Sequence, residues 1–104
     1  MNREDRQVER NLEGIKLEKK GETDKAIVLY EKNLKENFEG SHPYNRLAII
    51  YRKRGQIEEE IKVLEKAIYL YENIVYKARV DRLVKLEKFK ERLKKALEIK
   101  SKGL

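Results

Sequence analysis

A repeat of 34 residues constrains the fold of this chain more than any other feature of its sequence. When the sequence is shifted by 34 positions, small residues fall on small ones and large apolar residues fall on large ones. The matched pairs are Gly21 with Gly55, Leu17 with Tyr51, Gly14 with Ala48, Tyr30 with Leu64, Ile27 with Ile61 and Leu34 with Ile68. Such periods are typical of proteins whose repeats bury their apolar faces against one another. The sequence therefore predicts two repeats, residues 7–40 and 41–74, in one domain spanning residues 1–104.

Each repeat has the signals of two helices joined by a tight turn. Apolar residues recur three or four positions apart on both sides of a glycine, Gly21 or Gly55, and each glycine follows two cations. Glycine adopts the positive φ that ends many helices, and cations are favoured near helix C-termini. Ser41 is expected to cap the next helix, with Pro43 in its first turn. The predicted helices are 4–20, 23–37, 42–54, 57–72 and 75–100, an all-α fold.

These residues resemble a known repeat family. The segment Tyr44-x2-Leu47-Ala48-x2-Tyr51-x3-Gly55 resembles the first helix and turn of a tetratricopeptide repeat, and Leu64 and Ala67 occupy the family's positions in the second helix. The first repeat matches the same pattern at Gly14, Leu17, Gly21, Ala26 and Tyr30. The resemblance implies two tetratricopeptide hairpins in a right-handed α-α superhelix, closed by a long C-terminal capping helix.

The chain departs from the family pattern at three charged positions, and neither repeat has the family's terminal proline. Arg10 and Glu13 stand where the family has a large aromatic residue and a leucine, and Glu60 replaces a small residue of the second helix. The resemblance covers residues 7–74, and the departures at Arg10 and Glu13 make the first helix its weakest part. These departures introduce charge at positions that the family uses for apolar packing.

The period fails after residue 74, because the position 34 residues beyond Gly55 is Phe89. Residues 75–100 are instead predicted to form one amphipathic capping helix. Its apolar stripe comprises Tyr76, Val80, Leu83, Leu86, Phe89, Leu93 and Leu97. Residues 77–104 contain 11 Lys/Arg and 4 Asp/Glu, whereas residues 1–76 contain 15 of each. The net charge of +7 therefore lies entirely in this last segment.

Catalysis has little chemical basis in this composition. The chain has one histidine and no cysteine. This excludes a catalytic cysteine–histidine pair and a metal site with two histidine ligands. The five glycines are dispersed and form no phosphate-binding loop. The sequence therefore predicts neither an enzyme nor a bound cofactor or metal.

The resemblance implies a binding site on a concave face formed by the first helix of each hairpin. Carried over position by position, the partner-binding residues are Asn11, Ile15 and Lys19 of the first repeat, His42, Asn45, Ile49, Arg52 and Lys53 of the second, and Arg79 and Leu83 of the capping helix. Asparagine amides can bond a peptide backbone, and cations can meet its acidic groups. The carboxylate clamp of some family members is not reproduced, because Ile15 and Arg46 stand where two asparagines are required.

The leading functional hypothesis is a protein–protein interaction module or adaptor that binds a peptide or protein through this face. One alternative is a nucleic-acid-associated protein that uses the basic last helix, although charge pairs such as Glu91 and Lys95 also explain that helix as a solvated cap. Another is self-assembly, including a homodimer, because two repeats are few for a stable stack. The sequence has no membrane-spanning run and no signal peptide, and a cytoplasmic location is expected.

Overall fold

The computed structural model describes residues 2–103, which form five α-helices and no strand. The helices are α1 (Arg3–Lys19), α2 (Thr23–Lys35), α3 (His42–Lys53), α4 (Ile57–Asn73) and α5 (Arg82–Ser101). The all-α prediction is confirmed. The chain divides into two compact units, a first unit that ends at Leu47 and a second unit that begins at Ala48, so the boundary lies inside α3. None of the helices in the described part of the chain is long and apolar enough to cross a membrane.

In the first unit, α1 packs against α2. The turn between them has the predicted glycine, Gly21, at a φ of 78°, and the Glu22 N–H donates to the Leu17 carbonyl at 2.9 Å. Close packing explains a second glycine. A Cβ atom at Gly14 would stand 2.4 Å from Cε1 of Tyr30, whose ring is fully buried. Gly14 therefore lets the Tyr30 ring lie against α1.

A buried polar network joins the same two helices. The fully buried Asn33 donates from Nδ2 to the Gln7 carbonyl at 2.8 Å and to Oδ1 of Asn11 at 2.9 Å. Arg10 donates to Oδ1 of Asn33 at 3.0 Å and to Glu36 at 2.8 Å. These bonds require one alignment of α1 on α2, because a buried polar group without its partner is costly. They also explain how Arg10 replaces the aromatic residue expected in the family at this position.

In the second unit, α4 packs against α5. The turn after α3 contains Gly55 at a φ of 71°, and the Gln56 N–H donates to the Tyr51 carbonyl at 2.9 Å. Tyr71 of α4 lies against Phe89 of α5 with ring centroids 5.5 Å apart. The other buried apolar residues of α4 and α5 are Ile61, Val63, Leu64, Ala67, Leu70, Leu86 and Ala96.

The prediction of a helix from residue 75 is wrong for its first two turns, because residues 74–81 form turns and α5 begins only at Arg82. Val75 is buried and its N–H donates to the Leu70 carbonyl, which closes the end of α4. Tyr76 and Val80 are exposed, so their spacing does not mark a core face. Spacing alone could not distinguish these residues from a helical stripe.

Because α5 begins late, the residue pattern of α3 recurs in α5 further along the chain than the 34-residue period predicts. Leu86, Phe89 and Leu93 of α5 are buried or half-buried and have the spacing of Tyr44, Leu47 and Tyr51 in α3. The two sets are 42 residues apart, eight more than the 34-residue period. The connection at 74–81 therefore acts as an insertion of about two helical turns.

Candidate functional site

The first unit has a pocket of about 340 Å³ beside α1 and the first turns of α3, which we call the first pocket. Three of the predicted site residues lie together in it: Ile15 and Lys19 from α1, and His42 from α3. Glu18 and Arg46 complete its lining. The helical spacing of three and four residues places these side chains on one side of each helix.

Glu18 is the electrostatic centre of the first pocket. Arg46 donates to both of its carboxylate oxygens, at 2.6 and 3.1 Å, and the Tyr30 hydroxyl donates to one of them at 2.6 Å. Burial by itself would raise the pKa of Glu18, but the hydrogen bonds from Arg46 and Tyr30 outweigh it and hold the pKa below its usual value. Burial raises the pKa of Tyr30, and the hydrogen bond to the Glu18 carboxylate raises it further. The ion pair between Glu18 and Arg46 therefore forms a fixed part of the pocket wall.

His42 contributes a neutral aromatic edge to this pocket. Its ring meets the Tyr30 ring edge to face, with centroids 5.5 Å apart, and its Nε2 atom is buried without a hydrogen-bond partner in the described structure. Burial lowers the pKa of His42, the positive charge of Arg46 lowers it further, and Glu18 opposes both. His42 is thus held neutral in the folded protein at neutral pH.

Acidification should destabilise the first unit through His42. The pKa of His42 is lower in the folded than in the unfolded chain. Its contribution to the free energy of unfolding is therefore complete above about pH 6.5, and it is lost as the pH falls through the pKa that His42 has in the folded chain. Glu18 keeps its charge in this range, since its own pKa is lowered from 4.5. We expect the thermal midpoint of the wild-type chain to fall between pH 7 and pH 5, and to fall less for His42→Gln. An equal fall in both proteins would assign the pH dependence to other groups.

The second unit has a separate pocket of about 240 Å³, which we call the second pocket. Its lining includes the predicted residues Ile49, Arg52 and Lys53 from α3. The remaining lining residues are Ala48, Glu60 of α4 and Arg92 of α5. Three cations thus surround one carboxylate, so the second pocket has an excess of positive charge.

Glu60 fixes one of these cations. The residue is 2% exposed, and Arg52 donates from Nε to both carboxylate oxygens, at 2.7 and 2.9 Å. A buried carboxylate requires such a partner because its transfer from water is costly. Glu60, which stands where the family pattern has a small residue, therefore holds the Arg52 guanidinium in place.

The other predicted site residues have different surroundings. Asn11 is buried and its Oδ1 accepts a hydrogen bond from Asn33, which corrects the expectation of an exposed amide. Asn45 is half-buried in the first unit. Arg79 lies in the turn before α5, where its Nε donates to Asp81 at 2.6 Å, and Leu83 is exposed in the first turn of α5.

The displaced repeat explains why Arg79 and Leu83 do not join the second pocket's lining. With a separation of 42 residues, the α5 positions equivalent to Asn45 and Ile49 are Glu87 and Glu91. Sequence reasoning also missed Glu60 and Arg92 as pocket residues. A charged residue at the small position of the repeat was the available signal for Glu60, whereas nothing local distinguishes Arg92 from the other cations of α5.

No metal site accompanies the two pockets: within residues 2–103, no group of three histidine, aspartate or glutamate side chains could hold a metal ion. Residues 41–74 match the family model of the tetratricopeptide repeat, which confirms the resemblance for the second repeat. The matched segment contains the buried Tyr44, Leu47, Ala48 and Tyr51. No curated protein and no solved structure matches the chain.

Proposed function

We propose that this chain, whose residues 41–74 form a tetratricopeptide repeat, binds extended peptide segments of other proteins, and that each of the two pockets receives apolar and acidic side chains of such a segment. Tetratricopeptide repeats are in general protein-interaction modules and are typically not catalytic. We also propose that the protein is cytoplasmic, and fractionation of the source cell should find it in the cytoplasmic fraction.

The single observation that supports the proposal is that both pockets use the same repeat positions. Ile15, Glu18 and Lys19 line the first pocket, and Ile49, Arg52 and Lys53, each 34 residues later, line the second. In each pocket an isoleucine and a lysine accompany an arginine that is paired with a carboxylate. An isoleucine offers apolar contact and the cations offer charge-assisted hydrogen bonds, so this combination suits a peptide with alternating apolar and acidic side chains.

Panning of a displayed random-peptide library on the wild-type chain should therefore enrich peptides of this composition. Ile49→Asp should weaken the selected peptides by at least about tenfold, because it places a negative charge beside the acidic groups of the ligand. Ile15→Asp should do the same at the first pocket. The measurement is the dissociation constant of each selected peptide, determined at two salt concentrations.

Lys53→Gln should weaken binding by a smaller factor and reduce its salt dependence, since Lys53 is exposed. Lys62→Gln provides the matched control, an exposed lysine of α4 that lines neither pocket. Selected peptides that bind both isoleucine variants as tightly as the wild-type chain would place the partner site elsewhere and refute the proposal.

The nucleic-acid alternative has less support from α5. Lys90 and Lys100 form ion pairs with Glu72 and Glu58 of α4, at 3.4 and 3.0 Å. Such pairs use basic charge within the second unit, whereas affinity for nucleic acid depends on cations that neutralise phosphates. Within residues 2–103, no observation favours self-assembly over binding of a different protein.

A further inference from the structure

The turns after α4 and the first turn of α5 expose apolar side chains that have no part in either pocket. Tyr76 is 76% exposed, Val80 97%, Leu83 63% and Val84 59%. We call these four residues the connector patch. They lie within nine consecutive residues, and an exposed cluster of large apolar side chains is a marker of an interaction site. Val80 is almost completely exposed, so its side chain projects into solvent without neighbouring walls.

The connector patch is surrounded by positive charge. Residues 76–88 contain five Lys/Arg and two Asp/Glu. One of these acids, Asp81, is neutralised by Arg79 at 2.6 Å and Lys85 at 3.0 Å, and the hydrogen bonds of these two cations lower its pKa to about 2. Lys77, which follows Tyr76, and Lys88, four residues after Val84, are both exposed. An approaching surface would therefore meet apolar side chains flanked by cations.

We propose that the connector patch is a peripheral membrane-contact site, at which Val80 and its apolar neighbours enter the headgroup region of an anionic lipid surface. A projecting apolar side chain can insert into a lipid surface without a complementary groove on the protein. A peptide ligand, in contrast, needs a groove on the protein whose walls shield it from water. Lysines beside these side chains are attracted to anionic headgroups. Contact with lipid in this mode requires no membrane-spanning helix.

Charge and side-chain type distinguish lipid from the other occupants. A second copy of the chain would bring two positive patches together, which costs free energy. Nucleic acid would be attracted by the lysines, but Tyr76 is the one member of the patch with a stacking surface or a hydrogen-bonding group for bases, and Val80, Leu83 and Val84 have neither. Buried apolar area and electrostatic attraction to anionic lipids together set the strength of binding at a lipid interface, and the connector patch has both apolar side chains and neighbouring cations.

The test uses Val80→Trp in the full chain, which has no native tryptophan. Vesicles of phosphatidylcholine with phosphatidylserine should shift its emission to shorter wavelength, and vesicles of phosphatidylcholine alone should not. Val28→Trp is the matched control, because Val28 is also exposed, at 66%, but lies in α2 of the first unit. Its emission should stay unchanged with both kinds of vesicle. Circular dichroism would verify that both variants keep the helical content of the wild type.

Co-sedimentation with the anionic vesicles tests the cations independently. Lys77→Gln and Lys88→Gln should each weaken partitioning by about fivefold, the effect of removing about 1 kcal/mol per cation near the surface. Lys62→Gln should change it much less. Three results would overturn the proposal: no binding to anionic vesicles, binding without a shift for Val80→Trp, or a shift that follows protein or oligonucleotide concentration in the absence of lipid.

Discussion

Phe89→Ala should lower the free energy of unfolding by about 3–5 kcal/mol, the range typical of a large aromatic residue removed from a core. Phe89 is 1% exposed and lies against the buried Tyr71, so the truncation leaves a cavity between α4 and α5. We expect α5 to become the least protected helix of the second unit. Urea unfolding followed by circular dichroism would measure the loss of stability, and amide hydrogen exchange would locate it.

Leu83→Ala is the matched control on the same helix, because Leu83 is exposed although it belongs to the apolar stripe predicted from the sequence. Its effect should stay within about 0.5 kcal/mol. Comparable losses for the two variants would mean that the α5 face containing Leu83 is buried in solution, in contradiction to its exposure in the structure.

Arg52→Ala should lower the free energy of unfolding by about 3 kcal/mol, because it leaves the Glu60 carboxylate buried without its partner. The adjacent Lys53→Ala removes an exposed cation and should cost less than about 0.5 kcal/mol. The measurement is again the urea midpoint at neutral pH. Arg52 is partly exposed, so we expect the lower end of the range known for broken buried pairs.

The double variant Arg52→Ala/Glu60→Ala separates an unpaired charge from lost packing. Alanine at position 60 restores the small residue of the repeat pattern and removes the carboxylate that needs a partner. The double variant should therefore recover most of the stability lost in Arg52→Ala. A double variant that loses the sum of the two single effects would show that Arg52 and Glu60 are not coupled.

The fold was predictable where short-range signals decide it. Gly21 and Gly55 end helices with positive φ as predicted, and α3 begins at His42, next to the predicted cap Ser41. These features depend on residues within one or two turns of each other, so the sequence pattern contains the necessary information. The connection at 74–81 was not predictable in the same way, because Tyr76 and Val80 keep a helical spacing while facing solvent.

The candidate site was predictable only in part. The 34-residue period pairs Ile15 with Ile49 and Lys19 with Lys53, and each of these residues lines a pocket. It could not identify Glu60 and Arg92 as lining the second pocket, since each belongs to a different helix from Ile49 and Lys53. Membership of a pocket that joins three helices depends on helix packing.

The sequence by itself determined the helical class, the repeat at residues 41–74 and the concentration of net charge after residue 76. Tertiary structure decided which charges are buried and paired. Glu18 with Arg46 and Arg10 with Glu36 are separated by 28 and 26 residues, so no local pattern selects them. Tertiary packing also decided that α5 begins only at Arg82, which displaced the repeat by eight residues and left the connector patch exposed. The spacing of apolar residues indicates only the local period of a helix. Whether those residues are buried depends on which other elements the helix face contacts after folding.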